Sequence, residues 1–199
     1  MPIQVPFIEY HEVVAQADRC LVGFNPDRSI PVEMEDLIDV AYGIDLVLAT
    51  NLETRFGTVA YISRDLREIR VDEYVYKRQS YRLAFSLAHE LAHLVLHQHV
   101  YQQMQFATPE EWKAAMDSIP DQDYRRLEWQ ADTFAGLLLV PPPELQTAFT
   151  QIAQVLQAAG KTFRQLDKPA QDFAVRGLAR QFNVASGTIW FRLYDDGLI

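Results

Sequence analysis

Cysteine is almost absent from this 199-residue chain, in which Cys20 is the only one. One cysteine cannot form an internal disulfide, so a disulfide-stapled secreted fold is excluded. The sequence also lacks any run near the ~18 continuous apolar residues of a membrane span. Its first residues show no basic segment followed by an apolar run, as a signal peptide would. We therefore expect a cytoplasmic protein with no membrane partner.

An excess of positive charge is also missing, since 18 Lys and Arg face 27 Asp and Glu and the net charge is −9. This balance argues against non-specific nucleic-acid binding by the whole chain. The charge is uneven, because residues 161–199 carry +2 and the remainder carries −11. The composition, with 49% apolar and 23% charged residues, is that of an ordinary folded protein.

Hydrophobic periodicity predicts an α+β fold. The expected architecture is a helical body with a small antiparallel sheet of about three strands, followed by C-terminal helices of helix-turn-helix type. The predicted strands are 44–49 and the two strands of an antiparallel hairpin, 58–62 and 69–71. The predicted helices are 31–42, 82–97, where apolar residues recur every four positions, 124–139, 143–158 and two short ones within 173–193, separated at Asn183. Thr108, followed by Pro109 and by Glu111 three residues on, predicts one further helix start. We divide the chain into an N-terminal domain, 1–159, and a helical region, 160–199, that packs onto it.

The residues that carry chemistry are the pentad His89-Glu-Leu-Ala-His93. Two histidines four residues apart on a helix project from one face, about 6 Å apart, and can hold one metal ion together. Glu90 lies beside that ion without being a ligand, so it can accept a proton from water and deliver it to a leaving amine. Apolar residues surround the pentad, which predicts buried imidazoles that need polar partners.

A catalytic zinc has three protein ligands and one open position. The best third ligand is Glu128, on a separate predicted helix 35 residues after His93. Asp132 lies one turn further on the same face and can accept the free N–H of a liganding histidine. His97 follows His93 by four residues, but each such step climbs about 6 Å and drifts about 40°, so three successive histidines do not converge on one ion. We interpret His97 as a group that contacts a ligand, or as a semi-buried histidine whose hydrogen bonds are satisfied elsewhere.

The segments 82–97 and 128–141 resemble the ImmA/IrrE metallopeptidase family, and the resemblance extends over residues 31–195. It implies a zinc-dependent endopeptidase of the gluzincin type that cleaves helix-turn-helix repressors in a stress or mobile-element response. It also implies that His89, His93 and Glu128 are metal ligands and that Glu90 is the catalytic base. Asp132 departs from the family, which often has Asn there; hydrogen-bond acceptance is kept and the charge changes.

The segment 178–193 resembles a helix-turn-helix, which raises sequence-specific DNA binding as a second function. Phosphate contacts could come from Arg176, Arg180 and Arg192. The second helix carries Trp190 and Phe191, which are poor major-groove readers. Helix-turn-helix units are also common packing elements, so DNA binding is possible and not favoured.

The enzyme hypothesis needs a donor for the oxyanion that forms at the substrate carbonyl. The candidates are Tyr81, Tyr101, Tyr124 and His97, and the sequence does not choose among them. A peptide substrate could add as an extra strand to an open edge at 58–62 or at 69–71. Zinc is the expected metal, with manganese or iron as alternatives because availability in the cell also selects the ion.

The rival hypothesis is a DNA-binding or antitoxin-like regulator with a structural or vestigial metal site. It is disfavoured for two reasons. A structural site has no need of Glu90, and three protein ligands leave one coordination position of the ion open, as in catalytic sites. A peptidase that requires an activating partner fits the same residues.

Overall fold

The computed structural model describes residues 3–199. The helices are α1 (Tyr10–Phe24), α2 (Met34–Asp36), α3 (Leu52–Phe56), α4 (Glu73–Arg78), α5 (Ser80–Leu96), α6 (Gln98–Tyr101), α7 (Pro109–Asp117), α8 (Asp121–Leu139), α9 (Pro142–Ala158), α10 (Lys168–Phe182) and α11 (Ser186–Asp195). The strands are β1 (Asp45–Ala49), β2 (Ala60–Ile62) and β3 (Glu68–Asp72). The predicted α+β class is confirmed. Among the described residues, none of the helices combines the length and the apolar character needed to cross a membrane.

The sheet has three strands in the order β1-β3-β2, and it is mixed. The predicted hairpin is present, since β2 and β3 pair antiparallel with Ala60 opposite Val71. The prediction of a purely antiparallel sheet is wrong, because β1 pairs with β3 in parallel. The chain leaves β1 through α3 and reverses along β2, so β3 runs in the direction of β1. With β3 in the centre, 69–71 has no open edge, and β2 is an edge strand.

The core of the molecule is the packing of α5 on α8 and of α8 on α1. Small residues allow the close approach of α5 and α8, since Ala88 and Ala92 face the interior from one helix and Ala131 and Ala135 from the other, all fully buried. This contact is decisive for the site, because the pentad lies on α5 and Glu128 lies on α8.

The N-terminal third departs most from the sequence prediction. Helix α1 was not predicted, although it buries four residues against the body. The predicted helix 31–42 begins only at Met34 and continues as a π-helical turn, Leu37–Ala41. Its start is late because Glu33 has φ −79° and ψ 87°, outside the helical region.

The C-terminal helices meet at Asn183, which ends α10 in the left-handed conformation with φ 52°. Arg192 of α11 is 1% exposed, so the expectation that it contacts DNA phosphates is wrong. Its guanidinium donates to both carboxylate oxygens of Asp196 at 2.8 and 2.9 Å and to the Tyr10 hydroxyl at 2.9 Å. A weaker bond reaches the Val140 carbonyl at 3.4 Å. Arg192 therefore ties the tail to α1 and to the end of α8.

Replacing Arg192 with Met is expected to lower the free energy of unfolding by about 3 kcal/mol, because it leaves Asp196 and the Tyr10 hydroxyl without their cationic partner. Chemical denaturation measures the change. Arg180→Met is the matched control, since Arg180 is exposed on α10, and it should change stability by less than about 0.5 kcal/mol. Equal stability of the two variants would contradict the structural role of Arg192.

Candidate active site

A cavity of about 210 Å³ opens beside the pentad. Its lining residues are Phe56, Gly57, Thr58, His89, Glu90, His93, Tyr101, Trp112, Lys113, Met116, Tyr124 and Glu128. They come from α3, the loop before β2, α5, α6, α7 and α8. The lining therefore combines ionisable side chains that can bind a metal with apolar and aromatic ones.

His89 and His93 direct their Nε2 atoms toward one point, and these atoms lie 3.2 Å apart. The Nδ1–H of His89 donates to Asp132 Oδ1 at 2.9 Å, so a neutral His89 ring, the form that binds a metal, has its lone pair on Nε2. Two ring nitrogens this close repel each other through their lone pairs, and a cation between or beside them removes that repulsion. A carboxylate oxygen of Glu90 lies close to both rings, since this oxygen and one nitrogen of each ring all lie within 4.8 Å of one another.

Glu128 approaches the same point from α8, and its Oε2 lies 3.5 Å from His89 Nε2. Burial raises the pKa of the Glu128 carboxyl. Burial alone would lower the pKa of His89, but the hydrogen bond to Asp132 and the negative charges of Glu90 and Glu128 raise it to about 9. Without a metal, the site therefore holds a proton where a cation would bind.

Glu90 is 6% exposed, and its Oε2 accepts a hydrogen bond from the backbone N–H of Ile62 at 2.8 Å. Burial raises its pKa to about 8, an effect that the charge of Glu128 reinforces and that of His89 opposes. A carboxyl with a pKa near neutrality can both accept and release a proton at physiological pH, which suits a general base.

His97 is fully buried directly behind the site. Its Nδ1 lies 3.0 Å from His93 Nδ1, and its Nε2 lies 2.8 Å from Gln130 Oε1. Burial lowers the pKa of His97 to about 4, so its ring is neutral at pH 7. His97 therefore contacts a candidate ligand and points away from the cavity.

The three candidate tyrosines fall in different places. Tyr101 and Tyr124 line the cavity, and the Tyr101 ring lies 5.3 Å from the His93 ring. Tyr81 does not, so its assignment as an oxyanion donor is wrong. It precedes His89 by eight residues on α5, about 12 Å along the axis, and lines a different cavity with Asn183.

Sequence reasoning missed three features of this site. The apolar part of the lining, formed by Phe56, Trp112 and Met116, belongs to short helices without a chemical motif. The Ile62 N–H is a backbone group with no signature in the sequence. Gln130 could have been found, because it lies on the buried face of α8 three residues after Leu127, where a polar side chain requires a partner.

Replacing Asp132 with Ala is expected to weaken zinc binding by about 10–100-fold, because the His89 ring then loses the acceptor that fixes its proton on Nδ1. Isothermal titration with zinc measures the dissociation constant. Asp27→Ala, an exposed aspartate in a turn remote from the cavity, is the matched control. Unchanged affinity in the Asp132 variant would contradict this role.

Comparisons with a family model and with solved structures each gave a match. The chain is similar to a solved structure of a Mycobacterium tuberculosis transcriptional regulator, with a TM-score of 0.57 and 20% identity, a likeness that shows the fold. The alignment covers 94% of this chain and 56% of that chain, so this chain spans little more than half of its neighbour. A search of curated proteins gave no match. The peptidase M78 family model, described as the IrrE N-terminal-like domain, matches residues 74–194, which include the pentad and Glu128. The chain belongs to the IrrE N-terminal-like peptidase family.

Proposed function

We propose that this protein is a zinc-dependent endopeptidase. The observation that carries the proposal is the convergence of His89 Nε2 and His93 Nε2, 3.2 Å apart, with Glu128 Oε2 3.5 Å from the first. Two imidazoles and one carboxylate form the donor set of catalytic zinc sites with an open position. Glu90 then lies beside the ion without binding it, so its carboxylate is available for proton transfer.

His89, His93 and Glu128 would hold the metal. Zinc bound there supplies a Lewis acid that polarises the scissile carbonyl and makes a water molecule acidic enough to react at neutral pH. Borderline-soft zinc suits two imidazoles and a carboxylate, and manganese or iron also accept this set when they are more available.

Glu90 moves the proton in this reaction. The Ile62 N–H binds Oε2 and fixes the carboxyl group, so Oε1 is available to a reacting water. The ionised carboxylate accepts a proton from that water while the water oxygen bonds to the scissile carbonyl carbon, and it then delivers the proton to the departing amine nitrogen. The C–N bond of the peptide breaks as that proton arrives.

A tyrosine hydroxyl is the proposed donor to the developing oxyanion. Burial raises the pKa of Tyr101 well above its ordinary value and also raises that of Tyr124, so both hydroxyls keep their protons at neutral pH. Tyr101 packs against His93, whereas Tyr124 lies at the more exposed rim. Either hydroxyl can supply the hydrogen bond, which is worth about 10²–10³ in rate at comparable sites.

The peptide substrate is proposed to lie along β2. Val59 and Ser63 bond to β3 through their backbone groups, so the intervening Ala60 and Ile62 face the open edge. Glu90 already takes the Ile62 N–H, and a peptide would therefore pair with the Ala60 N–H and the Ile62 carbonyl. A peptide added there as an antiparallel strand would pass Thr58 and Glu90 and place one side chain against Phe56, Trp112 and Met116.

The proposed substrate is a helix-turn-helix repressor inside the cell. The strongly negative residues before the tail, which carry −11, favour a partner with a basic surface, and DNA-binding repressors carry one. Family membership supports the same class. Such restricted specificity predicts that generic substrates such as casein remain intact.

We also propose that residues 160–199 form one unit with the peptidase body and do not bind DNA independently. The family match continues to residue 194 without a break. The burial of Arg192 against Tyr10 and Val140 supports the same conclusion. A regulator with a structural metal site would leave the buried Glu90 without a purpose.

The proposed function is tested by incubating the zinc-loaded protein with the repressor encoded beside its gene and mapping fragments by mass spectrometry. One or a few specific cuts are expected, absent when EDTA removes the metal, with casein intact in parallel. Rapid casein degradation would overturn the restricted specificity. The peptidase proposal would be overturned if the zinc-loaded protein cleaved none of the neighbouring regulators and none of the unfolded peptides that cover their linkers.

A further inference from the structure

A chain of buried polar groups leads from the N-terminal segment to the candidate metal site. The carbonyl of Pro6 accepts a hydrogen bond from Gln130 Nε2 at 2.9 Å. Gln130 Oε1 lies 2.8 Å from His97 Nε2, and His97 Nδ1 lies 3.0 Å from His93 Nδ1. Gln130 and His97 are fully buried and His93 is 3% exposed. This chain of contacts is separate from the Asp132 contact that orients His89.

The Pro6 carbonyl, at the outer end of this chain of contacts, fixes which group donates and which accepts in each hydrogen bond. A proline carbonyl can only accept, so the Gln130 amide must present its NH₂ to Pro6 and its oxygen to His97. His97 Nε2 therefore carries a proton. Both partners of the His97 ring are uncharged, and a neutral imidazole has one proton, so Nδ1 of His97 accepts. The proton between the two histidines consequently belongs to His93 Nδ1, and the lone pair of His93 is on Nε2.

We propose that Gln130 and the Pro6 carbonyl are positioning groups that fix the tautomer of His93 through His97. The inference rests on the proposed function in that His93 Nε2 binds the metal there. The two histidine ligands then obtain the same tautomer by different means. His89 uses a carboxylate with 59% side-chain exposure, and His93 uses a buried, uncharged relay that ends on the backbone.

The Pro6 carbonyl is held against α8 by the residues on either side of it. The Val5 N–H donates to Asp123 Oδ1 at 2.9 Å. The Phe7 ring stacks on Trp129 with centroids 6.3 Å apart and an interplanar angle of 8°. Since α8 carries Asp123, Trp129 and Gln130, the helix that holds the segment in place also carries the first side chain of the relay.

The wild-type protein tests the relay directly, without any variant. Long-range ¹H–¹⁵N NMR of ¹⁵N-histidine-labelled, metal-free protein at pH 7.5 reports which ring nitrogen carries the proton. We expect a protonated Nδ1 and bare Nε2 for His93, and the opposite tautomer for His97. A His93 ring protonated on Nε2, or a His97 ring protonated on Nδ1, would overturn the proposal.

Gln130→Met removes both polar ends of the relay at similar volume. We expect mixed tautomers at His93 and a zinc dissociation constant raised about tenfold. Gln122→Met, on the exposed face of α8, should change neither. A Gln130 variant with unchanged tautomers and unchanged zinc affinity would overturn the proposal, and if that variant fails to fold, the wild-type spectrum decides. Predicted tautomers in a wild-type protein that binds no zinc would support the relay and refute the proposed metal site.

Discussion

Glu90→Gln is expected to lower the rate of repressor cleavage by at least about 100-fold, because Gln cannot accept a proton from water or deliver one to the leaving amine. The variant should keep its fold, since the Gln oxygen can still accept from the Ile62 N–H that binds the carboxylate in the wild type. It should also bind one zinc ion per chain, as the wild type is expected to do. Fragment accumulation over time, measured beside the metal content, gives both quantities.

The stability of this variant provides a second readout. The pKa of Glu90 is raised to about 8 in the folded protein, so its contribution to metal-free stability falls as pH rises from the unfolded-state value to about 8. Gln has no such titration, and the variant should be at least as stable as the wild type at pH 8. Glu33→Gln, at an exposed position, is the matched control for both readouts. Cleavage at the wild-type rate by the Glu90 variant would refute the proposed mechanism.

His93→Ala is expected to abolish stoichiometric zinc binding, with a dissociation constant raised more than about 100-fold, and to abolish cleavage with it. His93 is the proposed ligand that a water molecule or another side chain can replace least easily, because it is 3% exposed and its Nε2 faces His89 directly. The remaining His89 and Glu128 supply only two ligands, which is insufficient for a catalytic zinc site. Metal analysis after dialysis measures the loss.

His99→Ala is the matched control for this loss, since His99 is exposed on α6. It should retain one zinc per chain and full activity. One zinc per chain in the His93 variant, or in a variant that also lacks His89, would show that the ion binds elsewhere.

Much of the fold was predictable where one pattern dominated the local sequence. The four-residue repeat of apolar residues defined α5, and Thr108 with Glu111 defined the start of α7 through a capping box that the structure contains. The hairpin was found from its β-branched strands. These signals are local, and the tertiary structure reinforces them.

The parts that were missed depend on long-range contacts. The parallel pairing of β1 with β3 joins segments more than 20 residues apart, and no local pattern distinguishes it from antiparallel pairing. Helix α1 is amphipathic but has no motif, and the π-helical turn at Leu37–Ala41 has no sequence signature. The sequence offers Arg192 as a phosphate contact because arginine is seldom buried. Its burial depends on Tyr10, which is distant in sequence.

The candidate site shows the same division. Two histidines and a glutamate within one helical turn could be grouped from spacing alone, and Glu128 could be added because α8 had to pack on α5 through small residues. Gln130 could be singled out only as a buried polar residue in need of a partner. That its partner is the Pro6 carbonyl could not be predicted, because this contact exists only once the N-terminal segment lies against α8.

The central claim is that His89, His93 and Glu128 hold one zinc ion while Glu90 stands free beside it. Anomalous diffraction at the zinc edge, from crystals of the zinc-loaded protein, tests it most directly. We expect one peak per chain, about 2.0–2.2 Å from both Nε2 atoms and from a Glu128 oxygen, with no Glu90 oxygen at bonding distance. A peak bonded to Glu90, or a zinc ion bound away from the pentad, would contradict the account.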